Sequence, residues 1–318
     1  MNILKAVAAA GLAGGLAVSG AAGAQTVIDL THPIPTFRPM ADDPMKPDLS
    51  QPWGESRLFP TFGQHAVLSI VQFPVNLGYF DLGTLVISEH HGTHLDTPAH
   101  FLNNESSMEP GGTPPEERRL VHQLEGADLV GKIVLIDISA RVQAELDKNG
   151  GRPSPDHAVT SFTEANGVAI TADDISAVED QLQDGVWLVL NTGWSQFYFD
   201  GPDFMKDPYV NAFNYPGLSL GGIDRLIGIM DRKGVRIRGI VADNIGVEGG
   251  ESAAGEDDKG TNAWAGHARL LQRNIMLVEN ATNLGLLAQV DGDCMLTVGA
   301  PKHVRGTGGP SRLLAICN

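Results

Sequence analysis

The sequence predicts a mixed-sheet α/β domain, and three observations carry that expectation. Short apolar segments of strand type alternate with amphipathic stretches of helical spacing, but without the strict βαβ order of a doubly wound fold. Hydrophobic residues make up 42% of the 318 residues and charged residues 19%, a globular composition. No internal repeat or low-complexity linker divides the chain, so one domain over residues 25–318 is expected.

The first 24 residues stand outside that domain. Lys5 supplies a positive n-region, Ala6 to Ala22 is apolar and small, and Ala22-Gly23-Ala24 has the form of a cleavage site. This reads as a secretory signal peptide, with Gln25 as the mature N-terminus and a periplasmic or secreted destination. A membrane anchor needs roughly 20 strongly apolar residues, and this stretch is short and diluted by Gly and Ser.

Beyond it, Val27 to Leu30, Ala66 to Val75 and Gly83 to Glu89 read as strands. Residues 102–117 carry Asn, Ser, Pro and Gly without periodicity and read as a loop. Lys132 to Ile138 is a buried-type strand, and 141–167 reads as a polar, irregular surface excursion. Thr171 and Asp174 have the form of a capping box, followed by Ile175, Val178 and Leu182 at helical spacing. Val186 to Leu190 and Val235 to Ala242 are strands flanking an amphipathic helix over Ser219 to Lys233. Ala265 to Gln272 is a short helix, and Ile275 to Glu279, Cys294 to Val298 and Leu313 to Ile316 complete the sheet. The two cysteines, Cys294 and Cys317, have no CxxC partners. They form either a disulfide or two buried thiols, since spacing alone does not give their separation.

Net charge is −16 with no basic run, which excludes a nucleic-acid binder. The final Gly-rich turn lacks the pattern of a phosphate-binding P-loop.

The chemistry concentrates in one segment. Four of the ten histidines fall within His90-His91-Gly92-Thr93-His94-Leu95-Asp96-Thr97-Pro98-Ala99-His100. If that segment is extended, His90, His94, Asp96 and His100 share one face, because side chains alternate with period two. Two imidazoles, a carboxylate and a third imidazole form the mixed nitrogen and oxygen set of catalytic Zn, Mn or Fe sites. A histidine-rich surface loop, or a set of hydrogen-bonded core histidines, is the bland reading, and three histidines with an aspartate on one face speak against it. Downstream, His267 opens a short helix and Glu279 ends an apolar strand, where an unpaired carboxylate is costly. A metal would relieve that cost, and so would a salt bridge to Arg269 or Arg273.

These residues resemble the cyclase family of metal-dependent hydrolases, which includes bacterial kynurenine formamidases and isatin hydrolases. The family signature HxGTHxDxPxH is present without substitution from His90 to His100. His267, Leu270, Leu271 and Glu279-Asn280 follow in order, and the likeness runs from Asp29-Leu30-Thr31-His32 to Gly308-Gly309-Pro310-Ser311-Arg312. The resemblance implies a swivelling β/β/α fold, a homodimer or higher oligomer, and one or two divalent ions, Mn or Zn. It implies metal ligands at His90, His94 and Asp96. His100 would serve as acid/base or bridge to a second ion, and His267 and Glu279 would complete the site, with Glu279 a further candidate base. Where many relatives carry an Asp-Thr-x-Ser-x-Asp-like segment, this chain has Asp243-Asn244-Ile245-Gly246-Val247-Glu248, so its substrate-facing wall differs. The expected reaction is hydrolysis of a small amide, lactam or related carbonyl by water that a divalent ion acidifies from pKa 15.7 toward about 7. Phe101, Trp53, Phe80 and Trp194 are candidate walls for a planar substrate, or core residues.

Two rival readings have their own signals. Gly217-Leu218-Ser219-Leu220-Gly221 matches a nucleophile elbow, with Asp243 and His267 following in the order of an α/β-hydrolase triad. The preceding Asn211 to Pro216 is turn-like, so Ser219 reads equally as a helix cap. A non-catalytic periplasmic metal or ligand binder is the second rival. Chelation separates the three: it abolishes metal-dependent turnover, spares a serine enzyme, and alters a binder only in affinity.

Overall fold

The computed structural model describes residues 25–34, 37–39, 41–42, 47–52, 71–76, 81–101, 111–198, 208–250 and 264–318. The expected leader at 1–24, Trp53, Phe80 and the first half of the 66–75 segment lie outside these.

The strands in chain order are β1 (Thr26–Asp29), β2 (Phe37–Pro39), β3 (Pro47–Pro52), β4 (Val71–Asn76), β5 (Asp81–Val86), β6 (His94–Asp96) and β7 (Val130–Asp137). They continue with β8 (Trp187–Asn191), β9 (Gly239–Ala242), β10 (Met276–Glu279), β11 (Cys294–Gly299), β12 (Gly308–Pro310) and β13 (Arg312–Cys317). The helices are α1 (Ser139–Asp147), α2 (Ala172–Ala177), α3 (Leu220–Lys233), α4 (Ala265–Leu270) and α5 (Leu284–Leu287). Nine strands form one mixed sheet in the order β1-β13-β11-β7-β8-β9-β10-β6-β12, and β3-β2-β4-β5 form a second. Strands β7 to β10 are parallel, while β6, β11, β12 and β13 pair antiparallel around them. This is the mixed-sheet α/β class expected from the sequence. None of the helices is long and apolar enough to cross a membrane among the described residues.

Alternation along each strand divides the core into two layers. In β8, Leu188 and Leu190 join one layer while Trp187 and Val189 join the other. The first layer also takes Ile223, Leu226, Ile227 and Met230, which recur at helical spacing along α3. Ser219 starts α3 by accepting a hydrogen bond from the Gly222 amide at 2.9 Å, and Gly234 ends it in the left-handed conformation. Thr171 and Asp174 make the expected capping contact, the Thr171 amide donating to the Asp174 carboxylate at 2.8 Å.

Residues 141–167 do not form a wholly irregular excursion: α1 occupies their start. The Asp137 carboxylate accepts from the Ser139 amide at 2.9 Å and so initiates the turn. Val142 and Leu146 then stack one turn apart into the first layer. The signal was a two-residue apolar stripe in a polar setting, too sparse to register as periodicity.

The cysteines are joined. Cys294 and Cys317 face one another across β11 and β13, with Cα atoms 4.1 Å apart, and form a disulfide. The bridge closes a 23-residue separation, for which loop-closure entropy gives about 3 kcal/mol. Cys294→Ser is therefore expected to lower unfolding stability by about 2–4 kcal/mol. Denaturant titration with and without reductant checks this: reductant should destabilise the parent protein equally and leave the variant unmoved.

Candidate active site

The site is built where β6 meets β10. Leu95 points into the second core layer, so His94 and Asp96 must point to the opposite face. In the antiparallel register Glu279 lies opposite His94, and Leu277 opposite Asp96. Glu279 thereby emerges on the same face, at the C-terminal end of β10, with its Oε2 3.6 Å from His94 Nε2. The 90–100 segment is extended only over His94–Asp96. Gly92 turns the chain with φ +64°, which folds His90 back until its Nδ1 lies 2.6 Å from Asp96 Oδ1. After Asp96 a second turn brings the His100 ring over His90, stacked at 3.7 Å. The four residues converge as expected, by two turns and not by one continuous strand.

His267 arrives from α4. Its Nε2 lies 3.5 Å from Asp96 Oδ2 and 3.1 Å from Glu279 Oε1. Two donor sets have ligating atoms within 4.8 Å of one another: His90, His94 and Asp96, and Asp96, His100 and His267. Asp96 belongs to both. The salt-bridge alternative for Glu279 is not realised, since Arg269 pairs with Asp224 and Arg273 with Asp231.

The electrostatics suit a cation. Burial pushes Asp96 up, but His100, His94 and His90 outweigh it and hold the carboxyl well below its usual range. Burial alone would depress His94, yet Asp96 and Glu279 raise it to about 9. Burial would depress His267 too, but Glu248 and Glu279 hold it well above its usual value. Protons on His94 and His267 thus balance the buried carboxylates, and a divalent ion supplies the same two charges from the same place. Asp96 Oδ2 and Glu279 Oε1 are buried and accept no well-formed hydrogen bond. A nitrogen and oxygen donor set with such orphaned oxygens fits a divalent ion.

A cavity of about 380 Å³ opens above this cluster. His90, His94, His100, His267 and Glu279 line it, together with Phe101, Tyr198, Ile245 and Trp264. Of the aromatic residues expected as walls, Phe101 serves as one. Trp194 does not: it is fully buried in the first layer, donating its indole N–H to the Tyr209 carbonyl at 2.7 Å.

Several site residues escaped the sequence reading. Tyr198 and Trp264 carried no motif. Asn280 donates to the Gly92 carbonyl at 2.9 Å and accepts from the Tyr209 hydroxyl at 2.8 Å, which fixes the turn that carries His90. Glu248, at the end of the divergent 243–248 segment, is wholly buried and bonds His267 Nδ1 at 2.8 Å. That contact sets the His267 tautomer and aims Nε2 at the cluster. Glu248→Gln should weaken divalent-ion affinity by about 10–100-fold, measured by titrating the metal-stripped protein. Unchanged affinity would show that His267 is held by other contacts.

The serine triad is not assembled. Ser219 spends its hydroxyl on the α3 cap and on the Ile170 carbonyl at 3.0 Å. Asp243 accepts from Thr192 and from the Trp194 amide, and His267 faces Glu248, Asp96 and Glu279.

A buried His/Asp/Glu cluster at the C-terminal end of a parallel strand, facing an aromatic cavity, defines the class. A family described as "Putative cyclase" matches residues 28–249, and the chain belongs to this cyclase family. An isatin hydrolase from Roseibium aggregatum is 23% identical over 245 residues, covering 75% of each chain. Among solved structures, an isatin hydrolase bound to the product analogue thioisatinate superposes with a TM-score of 0.60 at 20% identity, covering 92% of both chains. Isatin hydrolase A from Ralstonia solanacearum gives 0.57 at 20% identity over the same shares. These likenesses establish the fold.

Proposed function

We propose that the protein is a metal-dependent hydrolase that opens or cleaves a small, planar amide or lactam. The observation that carries this reading is the convergence of His90, His94, His100 and His267, around the buried Asp96, on one cavity with aromatic lining. The isatin hydrolase relatives support the carbonyl chemistry. When bound, a divalent ion, Mn or Zn, supplies Lewis acidity toward the carbonyl and acidifies water toward neutrality. His90, His94 and Asp96 would hold it, with His267 and Glu279 closing the site. Burial depresses His100 to about 4, so its ring is neutral at pH 7, a weakly basic proton acceptor beside the cluster. Phe101 and Trp264 present ring surfaces against which a planar substrate can lie, excluding water from that side.

The test combines metal analysis with turnover of isatin, N-formylkynurenine and simple lactones, before and after chelation. Turnover that chelation abolishes and metal restores supports the reading. Metal-loaded protein that hydrolyses none of the three substrates would favour a binding role instead. We propose further that the chain works in an oxidising compartment outside the cytoplasm, a reading supported by the Cys294–Cys317 bridge. Assembly as a homodimer or higher oligomer is part of the same proposal and rests on the family resemblance; gel filtration with light scattering tests it.

A further inference from the structure

A second cavity, of about 280 Å³, lies at the other end of the parallel strands. Gly185, Arg238 and Met276 stand there at or just before the starts of β8, β9 and β10, whereas Asp243 and Glu279 stand at the far ends. The chain carries a net charge of −16, with only 22 basic residues in 318. Three arginines nevertheless line this one cavity: Arg119, Arg236 and Arg238.

Their partners do not use them up. Arg119 Nη1 takes Asp128 Oδ2 at 2.7 Å. Arg238 reaches the other oxygen of Asp128 only at 4.0 Å, and its Nε is buried without an acceptor. The second carboxylate, Asp184, is engaged by the Arg236 backbone amide at 2.7 Å, and among the described residues no carboxylate meets the Arg236 side chain. Gly185 lies directly against Arg238: a Cβ there would sit 3.1–3.3 Å from the guanidinium, a tight approach that the glycine avoids. Asn274 donates to Thr113 Oγ1 at 2.7 Å, and its Oδ1 is buried without a donor. A 180° rotation of that amide keeps the contact, with Thr113 donating, and turns an NH2 into the position of Oδ1.

We propose that this cavity is a binding site for a small oxyanion, held between the guanidinium groups of Arg236 and Arg238 with Asn274 as a neutral donor. Guanidinium forks match the oxygens of a phosphate or a carboxylate, and charge-assisted hydrogen bonds are about twice as strong as neutral ones. The site is separate from the proposed hydrolytic centre and does not depend on it.

Calorimetric titration of the metal-loaded protein with inorganic phosphate, and separately with succinate, at constant ionic strength tests the proposal. Saturable 1:1 binding of either anion is expected, and binding of only one tells which oxyanion the site prefers. Arg238→Ala should abolish that binding. Arg236→Ala, an exposed change that leaves the fold intact, should weaken it at least about fivefold, while metal content and turnover stay at parent levels. Binding that is absent from the parent, or that persists unchanged in Arg236→Ala and Arg238→Ala, would overturn the assignment.

Discussion

Asp96→Asn should leave the purified protein without most of its bound metal and lower kcat/KM at least about 1,000-fold. The expectation follows from the place of Asp96 in both donor sets, one with His90 and His94 and one with His100 and His267. Asp96 is fully buried, with Oδ1 2.6 Å from His90 and 3.3 Å from His94, and Oδ2 3.5 Å from His267. No other carboxylate is a member of both sets among the described residues. Asparagine keeps the shape but turns one oxygen into an NH2, which cannot ligate and repels a cation. The same change removes the buried negative charge that the neighbouring imidazoles face, so a loss of thermal stability should accompany it. Metal analysis and steady-state kinetics read the first two effects, and thermal unfolding the third. Parent-level metal in a folded Asp96→Asn protein would remove Asp96 from the ligand set and with it the two-set reading.

The second large effect is expected at His100. His100→Asn should lower kcat by roughly 10²–10⁴ while the primary ion remains bound. The geometry behind this differs from that of the other ligands. His100 lies beyond the turn at Pro98, stacks on His90 at 3.7 Å, and is partly exposed in the cavity where His94 is buried. It stands over the cluster, near the place where water would be activated. The depressed value of about 4 also changes the pH expectation. A histidine near 6.5 would switch activity at neutrality. His100 instead keeps its neutral, proton-accepting form down to about pH 4, so its loss should lower activity evenly across pH 5–8. Loss of one metal equivalent in His100→Asn would make it a ligand of a second ion. Parent-level kcat with intact metal would take it out of the proton path and leave Glu279 as the base.

Much of this site was legible because the donors of one segment carry a strict pattern. The spacing from His90 to His100 names four donors outright, and the apolar run ending in Glu279 marks a carboxylate that needs a partner. The shape of the segment was not legible. Period-two reasoning treats it as one strand, whereas Gly92 and the turn after Asp96 bend it twice, and only pairing with β10 and β12 decides where the strand stops. Glu248 was invisible as a site residue because its role depends on α4 delivering His267 beside it, a long-range contact with no local trace. Trp194 illustrates the converse: an aromatic residue near a site by sequence reasoning is a core residue once its indole finds the Tyr209 carbonyl. The helix at Ser139–Asp147 shows how a short amphipathic stripe hides among charges until the Asp137 carboxylate takes the Ser139 amide just ahead of it.

The register of β6 against β10 bears on the order in which the molecule matures. Leu95 sits in the second core layer between two donors that face the other way. A slip by one residue would drive His94 and Asp96 into that apolar layer and expel Leu95, at the cost of two desolvated polar groups. His267 and Glu279, which complete the cluster, come from α4 and β10, far along the chain, and reach the 90–100 donors only once the sheet has closed. Completion of the donor cluster is therefore a late event, following the docking of β6, and the folded chain presents its candidate ligands already ordered. A nascent or partly unfolded chain offers the donors of residues 90–100 without His267 and Glu279 beside them, so tight metal uptake during refolding should trail the recovery of secondary structure and coincide with burial of Leu95.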